Sequence, residues 1–268
     1  MLKYGLESLN HEVFISGPKI EPGMINLLVG AYFMPTEHMK KISSSGIQYA
    51  VVNTEIVKDG MLNFQPQKTD LINGYLPLMR GGRFVWDVVP QNLAELKDQH
   101  GIEAELIRWA YHERLEDIEH KANPDLDYYF FGFVTDRRKR LLTELNDAGL
   151  RGVADHSCPY FLRNDRIARA KLQINIRQDA KYVHVNAFRI GYLANNRTAI
   201  LSEEEDDPTN YLQYAEVADK RNFAEAAAEL VRGDKWKRLR EESYERYRQI
   251  LFKDVLEQVL DSSFAKAV

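Results

Sequence analysis

Hydrophobic and polar positions alternate along this chain with two different periods. Short apolar runs are separated by stretches in which apolar residues recur at helical spacing. The runs at 11–17 (HEVFISG), 25–33 (INLLVGAYF), 49–55 (YAVVNTE), 84–89 (FVWDVV) and 104–110 (AELIRWA) read as strands. Between them, MPTEHMKKISSSG and VPQNLAELKDQHG read as helices that stop at a glycine. Residues 59–75 show no clear period and read as a long loop with a short helix, and 112–125 as a linker or solvated helix with a turn at Asn123-Pro124. Alternation restarts with strands at 127–134, 152–156, 172–178 and 199–203, separated by RRKRLLTELNDAGL, FLRNDRIARAK and HVNAFRIGYLANN as helices. From Asp219 the chain is helix-rich and ends in one long helix over 236–261. Strand and crossover helix in turn predict parallel sheets in an α/β fold. The pattern suits two α/β units joined near residue 120, and a single large α/β domain also satisfies it.

Composition narrows the function. The 268 residues are 44% hydrophobic and 28% charged, ordinary for a globular protein. No apolar run approaches the roughly 20 residues of a membrane helix, and MLKYGLESLNHEVF lacks the apolar centre of a secretory signal. Cys158 is the only cysteine, which excludes an intramolecular disulfide and a cysteine-built zinc cage and suggests the cytoplasm. A net charge of −4 disfavours nucleic acid as a partner.

Candidate chemistry concentrates where YYFFGFV gives way to TDRRKR. A strand apolar on successive residues is covered on both faces, and the helix behind it offers unpaired N–H groups and the positive end of its dipole. Gly132 permits close backbone approach, Thr135 or Asp136 caps the helix, and Arg137, Arg138 and Lys139 supply positive charge. The combination suits a phosphate or diphosphate. A solvated basic helix start, with Arg138 or Lys139 paired to Glu144, explains the same residues without a ligand.

The passage "RIARAKLQINIRQDAKYVHVNAFRIGYLANNRTAILSE" (166–203), the element FFGFVTDRRKRLLTELNDAGL, the stretch VWDVVPQNLAELKDQHGIEAELIRWAYHE and the ending AAAELVRGDKWKRLREESYERYRQ together resemble the glycosyl transferases of group 1, the family 1/4-like proteins, in their spore-maturation-type branch. The resemblance covers roughly residues 80 to 250. It implies a GT-B fold, two Rossmann-like domains facing each other across a cleft. A reduced acceptor domain would span 1–115, a nucleotide-sugar domain 125–235, and a terminal helix in 236–268 would cross back. It also implies a metal-independent glycosyltransferase that needs no cofactor. Its substrates would be a nucleotide-sugar and a glycan or small-molecule acceptor.

By the same resemblance the donor side comprises Gly132, Thr135, Arg137, Arg138, Lys139, Tyr160, Asn175, Gln178, His184, Asn186, Arg189 and Glu203. Tyr160 would flank the base, His184, Asn186 and Arg189 would open the helix that points at the donor, and Glu203 would meet the ribose. Without a ligand, Asn186 is a helix cap, Tyr160 an ordinary loop aromatic, and Glu203 the start of a solvated acidic loop. The branch often has Glu-x-x-Arg-Ile where this chain has Asn186-Ala187-Phe188-Arg189-Ile190. The missing carboxylate leaves room for a non-catalytic nucleotide- or sugar-phosphate-binding protein. A third reading, transfer to modified DNA bases, needs a continuous basic cleft, which the net charge disfavours. If the reaction inverts configuration, a base must deprotonate the acceptor. His38 and Glu55, at the carboxyl ends of the first-half strands, are the candidates, Asp87 a third, and His11 lies at the wrong end. Trp86 and Trp109 read as core, and Trp236 as an anchor of the final helix between domains. Arg232, Lys235, Lys237, Arg238 and Arg240 form a basic patch that acidic neighbours dilute, so peripheral membrane attachment is the weaker reading.

Overall fold

A computed structural model describes residues 1–17, 19–64 and 69–266. The chain divides into two compact units. One comprises Leu2–Arg108 together with Lys253–Val268, the other Trp109–Phe252. They are called here the amino-terminal and carboxy-terminal units.

The amino-terminal unit opens with helix α1 (Leu2–Ser8) and a parallel sheet of β1 (Asn26–Val29), β2 (Tyr49–Asn53), β5 (Val85–Asp87) and β6 (Glu105–Leu106), in the order β1-β2-β5-β6. β2 is buried along its whole length, as a central strand covered on both faces must be. A small antiparallel hairpin, β3 (Val57–Lys58) and β4 (Met61–Leu62), follows β2. The crossover helices are α2 (Thr36–Ser43), α3 (Thr69–Gly81) and α4 (Pro90–His100). Proline at the first position and Gly101 at φ 61° after the last residue set the limits of α4. The core joins Leu28, Val51, Val85, Met39, Tyr75, Leu78 and Leu96.

Two expectations fail here. Residues 11–17 form no strand: they do not pair with the free edge of β1, and Phe14 and Ile15 stand exposed rather than buried as a strand's apolar face would be. The short helix of the 59–75 segment is α3, which runs on for 13 residues to Gly81; residues 65–68 of that segment lie outside the described residues.

The carboxy-terminal unit holds a five-stranded parallel sheet: β7 (Leu126–Phe131), β8 (Gly152–Asp155), β9 (Ala170–Asn175), β10 (Ile200–Glu203) and β11 (Glu216–Ala218). Helices α5 (Asp136–Asp147), α6 (Tyr160–Arg169), α7 (Ala187–Asn195), α8 (Phe223–Arg232) and α9 (Lys235–Tyr247) surround it. The strand order is β11-β10-β9-β7-β8. β7 therefore has its successor β8 on one side and β9 on the other, so the crossovers that follow β7 and β9 run in opposite directions. That reversal is a topological switch point, where the loops part and leave a crevice beyond the carboxyl ends of the strands.

The expected single helix over 236–261 is two. α9 stops at Tyr247, and α10 (Phe252–Lys266) begins after a bridge in which Tyr111 N donates to Ile250 O at 2.9 Å and Phe252 N to Tyr111 O at 2.8 Å. From residue 253 onward α10 belongs to the amino-terminal unit, where Trp86 Nε1 donates to Ser263 Oγ at 2.8 Å. Trp236 is not an anchor between domains: it packs into the carboxy-terminal core with Phe223, Leu230 and Phe130. The basic patch is locally neutralised. Lys235 pairs with Glu229, Lys237 with Asp234, Arg238 with Glu242 and Arg240 with Glu241. Among the described residues no helix is long and apolar enough to cross a membrane.

Candidate functional site

The switch point brings together most of the residues singled out for the donor side. Thr135 caps α5, its Oγ1 accepting from Arg138 N at 3.3 Å, while the same hydroxyl donates to Gln178 O at 2.8 Å. The loop after β7 is thereby tied to the loop after β9. Arg137 reinforces the tie. It grips Glu203 at the end of β10 with both Nη atoms, Nη1 at 2.7 Å from Oε2, and also donates to Arg177 O at 2.9 Å. Glu203 Oε2 accepts from Arg177 N at 2.7 Å as well. Glu203 is buried, so the solvated-loop reading fails for it, although the next residue, Glu204, is exposed.

Arg138 is 6% exposed and wholly engaged with the backbone: Nε and Nη2 donate to Ile176 O at 3.0 and 2.8 Å, and Nη1 to Phe133 O at 2.8 Å. Burial, and next the like charge of Arg189, push it down to about 9. Arg189, 8% exposed, donates from Nη1 to Asn175 Oδ1 at 3.0 Å and from Nη2 to Phe131 O at 2.8 Å. Burial lowers it to about 10, with Glu205 opposing. Gly132 is required by this contact. Its φ is 132°, and a Cβ there would stand 2.8 Å from Arg189 Nη2. The close approach read at Gly132 is thus made by an arginine of the chain itself.

The remaining positions fall around this core. Asn175 ends β9 fully buried, its Nδ2 donating to Ser202 Oγ at 2.8 Å and to Glu205 Oε2 at 2.9 Å. Burial raises Glu205 to about 7, against the hydrogen bonds from Asn175 and the Asn186 backbone and the charge of Arg189. Asn186 Oδ1 accepts from Arg189 N at 3.0 Å, so the side chain caps α7. His184 sits before that cap, in a β-bridge with Asp206. Lys139 is exposed on the first turn of α5. Tyr160, 65% exposed, begins α6 beside exposed Phe161, while Phe133 packs edge-on to His156 with centroids 4.6 Å apart. Sequence reasoning missed Glu205, Arg177 and the Arg137–Glu203 pairing. The acidic run 203–207 was the signal, but which member turns inward depends on where β10 ends.

Among the described residues, Nε of Arg177 and Nε of Arg189 are buried without a hydrogen-bond partner, and no group of three or more His, Cys, Asp or Glu is placed to hold a metal ion.

The acceptor-side candidates lie at the carboxyl edge of the other sheet. His38 is exposed on the first turn of α2, after β1. Glu55 follows β2, half-buried, its carboxylate accepting from Asn63 Nδ2 and from Thr54 Oγ1 at 3.4 Å, with Tyr32 also bonded to it. Burial, and secondly that bond, raise the Tyr32 hydroxyl far above its ordinary value. Asp87 ends β5 with no exposure and does not reach the surface, which removes it as a direct base. Burial pushes it up to about 7 against amide donors from Asn53, Val89 and Asn92.

No protein-family profile and no curated protein matches the chain. Among solved structures it is similar to an alpha-glucosyltransferase in complex with UDP-glucose and DNA containing an abasic site, at 9% identity and TM-score 0.59, over 88% of this chain and 79% of that one. It is also similar to the pneumococcal O-GlcNAc transferase in complex with UDP and GlcNAc, at 9% identity and TM-score 0.55, over 98% and 59%. A third is accessory secretory protein 1, 2 and 3 in Streptococcus pneumoniae, at 10% identity and TM-score 0.52, over 92% and 54%. The chain spans little more than half the length of the last two. At such identities the likeness is one of fold, and the fold is that of the GT-B glycosyltransferases, as the resemblance implied.

Proposed function

We propose that the protein is a glycosyltransferase that moves a sugar from a nucleoside-diphosphate donor to a glycan or small-molecule acceptor, without a metal ion. The observation that carries the reading is the switch point between β7 and β9. Two helix amino termini and four guanidinium groups gather there, with the Nε of Arg177 and Arg189 unsatisfied. An anion is the natural complement of such a place. UDP occurs in the descriptions of two fold neighbours, which makes it the first ligand to try.

In this reading the diphosphate docks against the amino terminus of α5 and the loop Gly132–Thr135. Arg138 acts through its field, because turning it outward strips three hydrogen bonds from the carbonyls of Ile176 and Phe133. Arg137, Lys139 and Arg189 stabilise the charge that develops on the leaving diphosphate. Tyr160 offers its face to the base, and Gln178, Asn175, His184 and Glu203 shape the wall. His38 or Glu55 accepts the acceptor's proton if configuration inverts.

Thermal shift against UDP, GDP, dTDP, CMP and their sugars tests this. A nucleotide at 100 times its dissociation constant stabilises by about 2.7 kcal/mol, and Lys139→Ala with Arg137→Ala should remove most of that gain. An unchanged shift in both variants sinks the assignment. The capping role of Asn186, where the related branch has a carboxylate, favours a second reading, a nucleotide-binding protein without turnover. Consumption of the stabilising sugar nucleotide separates the two.

A further inference from the structure

The amino-terminal unit carries a buried polar network that the proposed chemistry does not use directly. Asp87, Asn53 and Asn92 are each 1% exposed or less, and together they form one connected unit. Asp87 Oδ2 accepts from Asn53 Nδ2 at 2.7 Å and Asn92 Nδ2 at 3.0 Å; Oδ1 accepts from Val89 N at 2.7 Å and Asn92 Nδ2 at 3.1 Å. The same two amides reach the main chain of one residue. Asn53 Nδ2 donates to Glu55 O at 2.9 Å, and Asn92 Nδ2 donates to it at 2.7 Å. Asn53 Oδ1 accepts from Glu55 N at 3.3 Å and from Tyr75 Oη at 3.2 Å, and Asn92 Oδ1 from Val57 N at 2.9 Å.

The geometry follows from the donor inventory. A carboxamide nitrogen has two N–H bonds in fixed, divergent directions. Each of these two amides directs one at Asp87 and the other at the Glu55 carbonyl. Both Asp87 oxygens accept from N–H donors, so both amides present nitrogen to it, and a flipped amide would set oxygen against oxygen. We infer that Asp87 is a positioning residue: through Asn53 and Asn92 it holds the main chain of Glu55 and so fixes where the Glu55 carboxylate stands at the carboxyl edge of the sheet. Its value for catalysis rests on the role proposed for Glu55; the positioning itself does not.

The test reads Glu55 rather than activity. In protein labelled with 13C at glutamate carboxyls, the Glu55 resonance is assigned by its loss in Glu55→Gln. Asp87→Asn preserves volume but admits the flipped amides, and the Glu55 resonance should shift and broaden. Asn92→Ala, which leaves Asp87 with Asn53 and Val89, should shift it too and serves if Asp87→Asn does not fold. A lowered melting temperature with the Glu55 signal unmoved in the folded variant would make Asp87 a purely structural residue and overturn the inference. Separately, unchanged sugar-nucleotide consumption by Glu55→Gln would end the catalytic reading of Glu55 while leaving the positioning result standing.

Discussion

The two sheets place buried carboxylates at corresponding ends, yet surround them with different chemistry. In the amino-terminal sheet, chain order and spatial order agree, β1-β2-β5-β6, and Asp87 is met by the neutral amides of Asn53 and Asn92. In the carboxy-terminal sheet the order reverses at β7, and Glu203 is met by Arg137 while Asn175 is met by Arg189. Amides fix a backbone without creating a field. Guanidinium groups fix it and also charge the crevice that the reversal opens. Burial first, and then the like charge of Arg189, lower Arg138, with Glu205 and Glu203 opposing.

The sharpest way to break this contrast is to neutralise one carboxylate at each edge. Glu203→Gln strands Arg137, whose side chain is 14% exposed against 1% for its partner, and should cost about 3–5 kcal/mol in urea unfolding. Asp87→Asn, facing neutral amides, should cost about 1–3 kcal/mol; the reverse order would dissolve the contrast. Arg138→Met leaves the carbonyls of Phe133 and Ile176 without their donor, a loss of about 1–3 kcal/mol by the same measurement. Gly132→Ala combines a left-handed backbone with the Arg189 contact, so about 1–2 kcal/mol should go, and with it the nucleotide binding proposed for this site.

A subtler effect depends on pH. Glu205 stands at about 7 in the folded chain against an ordinary 4.5, so the folded chain keeps a proton that the unfolded chain releases between those values. The stability this group contributes is full below pH 4.5 and lost as pH rises through 7. Wild type should therefore lose stability relative to Glu205→Gln between pH 4.5 and 7.5, and a difference independent of pH would contradict the desolvation of this carboxyl. The smallest effect belongs to Tyr160→Ala. Being exposed, it should change stability by no more than about 0.5 kcal/mol while weakening UDP about tenfold if the ring meets the base, equal to about 1.4 kcal/mol by titration calorimetry.

Much of this was legible in order and little in partnership. The strand YAVVN announces itself because burial on both faces leaves it almost without polar residues, whereas ILSE ends in the buried Ser202 and Glu203. EVA at β11 is three residues long and carries no period, and the glycine in LKYGLES hides α1. Arg137 and Glu203 were both visible as chemistry, but they are 66 residues apart. Only the order β10-β9-β7 shows that the first serves the second. Asn53 falls in the strand read at 49–55 and Asn92 in the helix read after 84–89, and nothing local reveals that both converge on Asp87.

The bond from Trp86 to Ser263 joins residues separated by 177 positions. Trp86 is fully covered, with Phe84 beside it and Phe264 against Phe84. During synthesis the amino-terminal unit thus leaves the ribosome missing a wall, and its indole stays uncovered while the carboxy-terminal unit, bounded by contiguous residues, can already close. Of the two units, the one synthesised earlier is the one completed later.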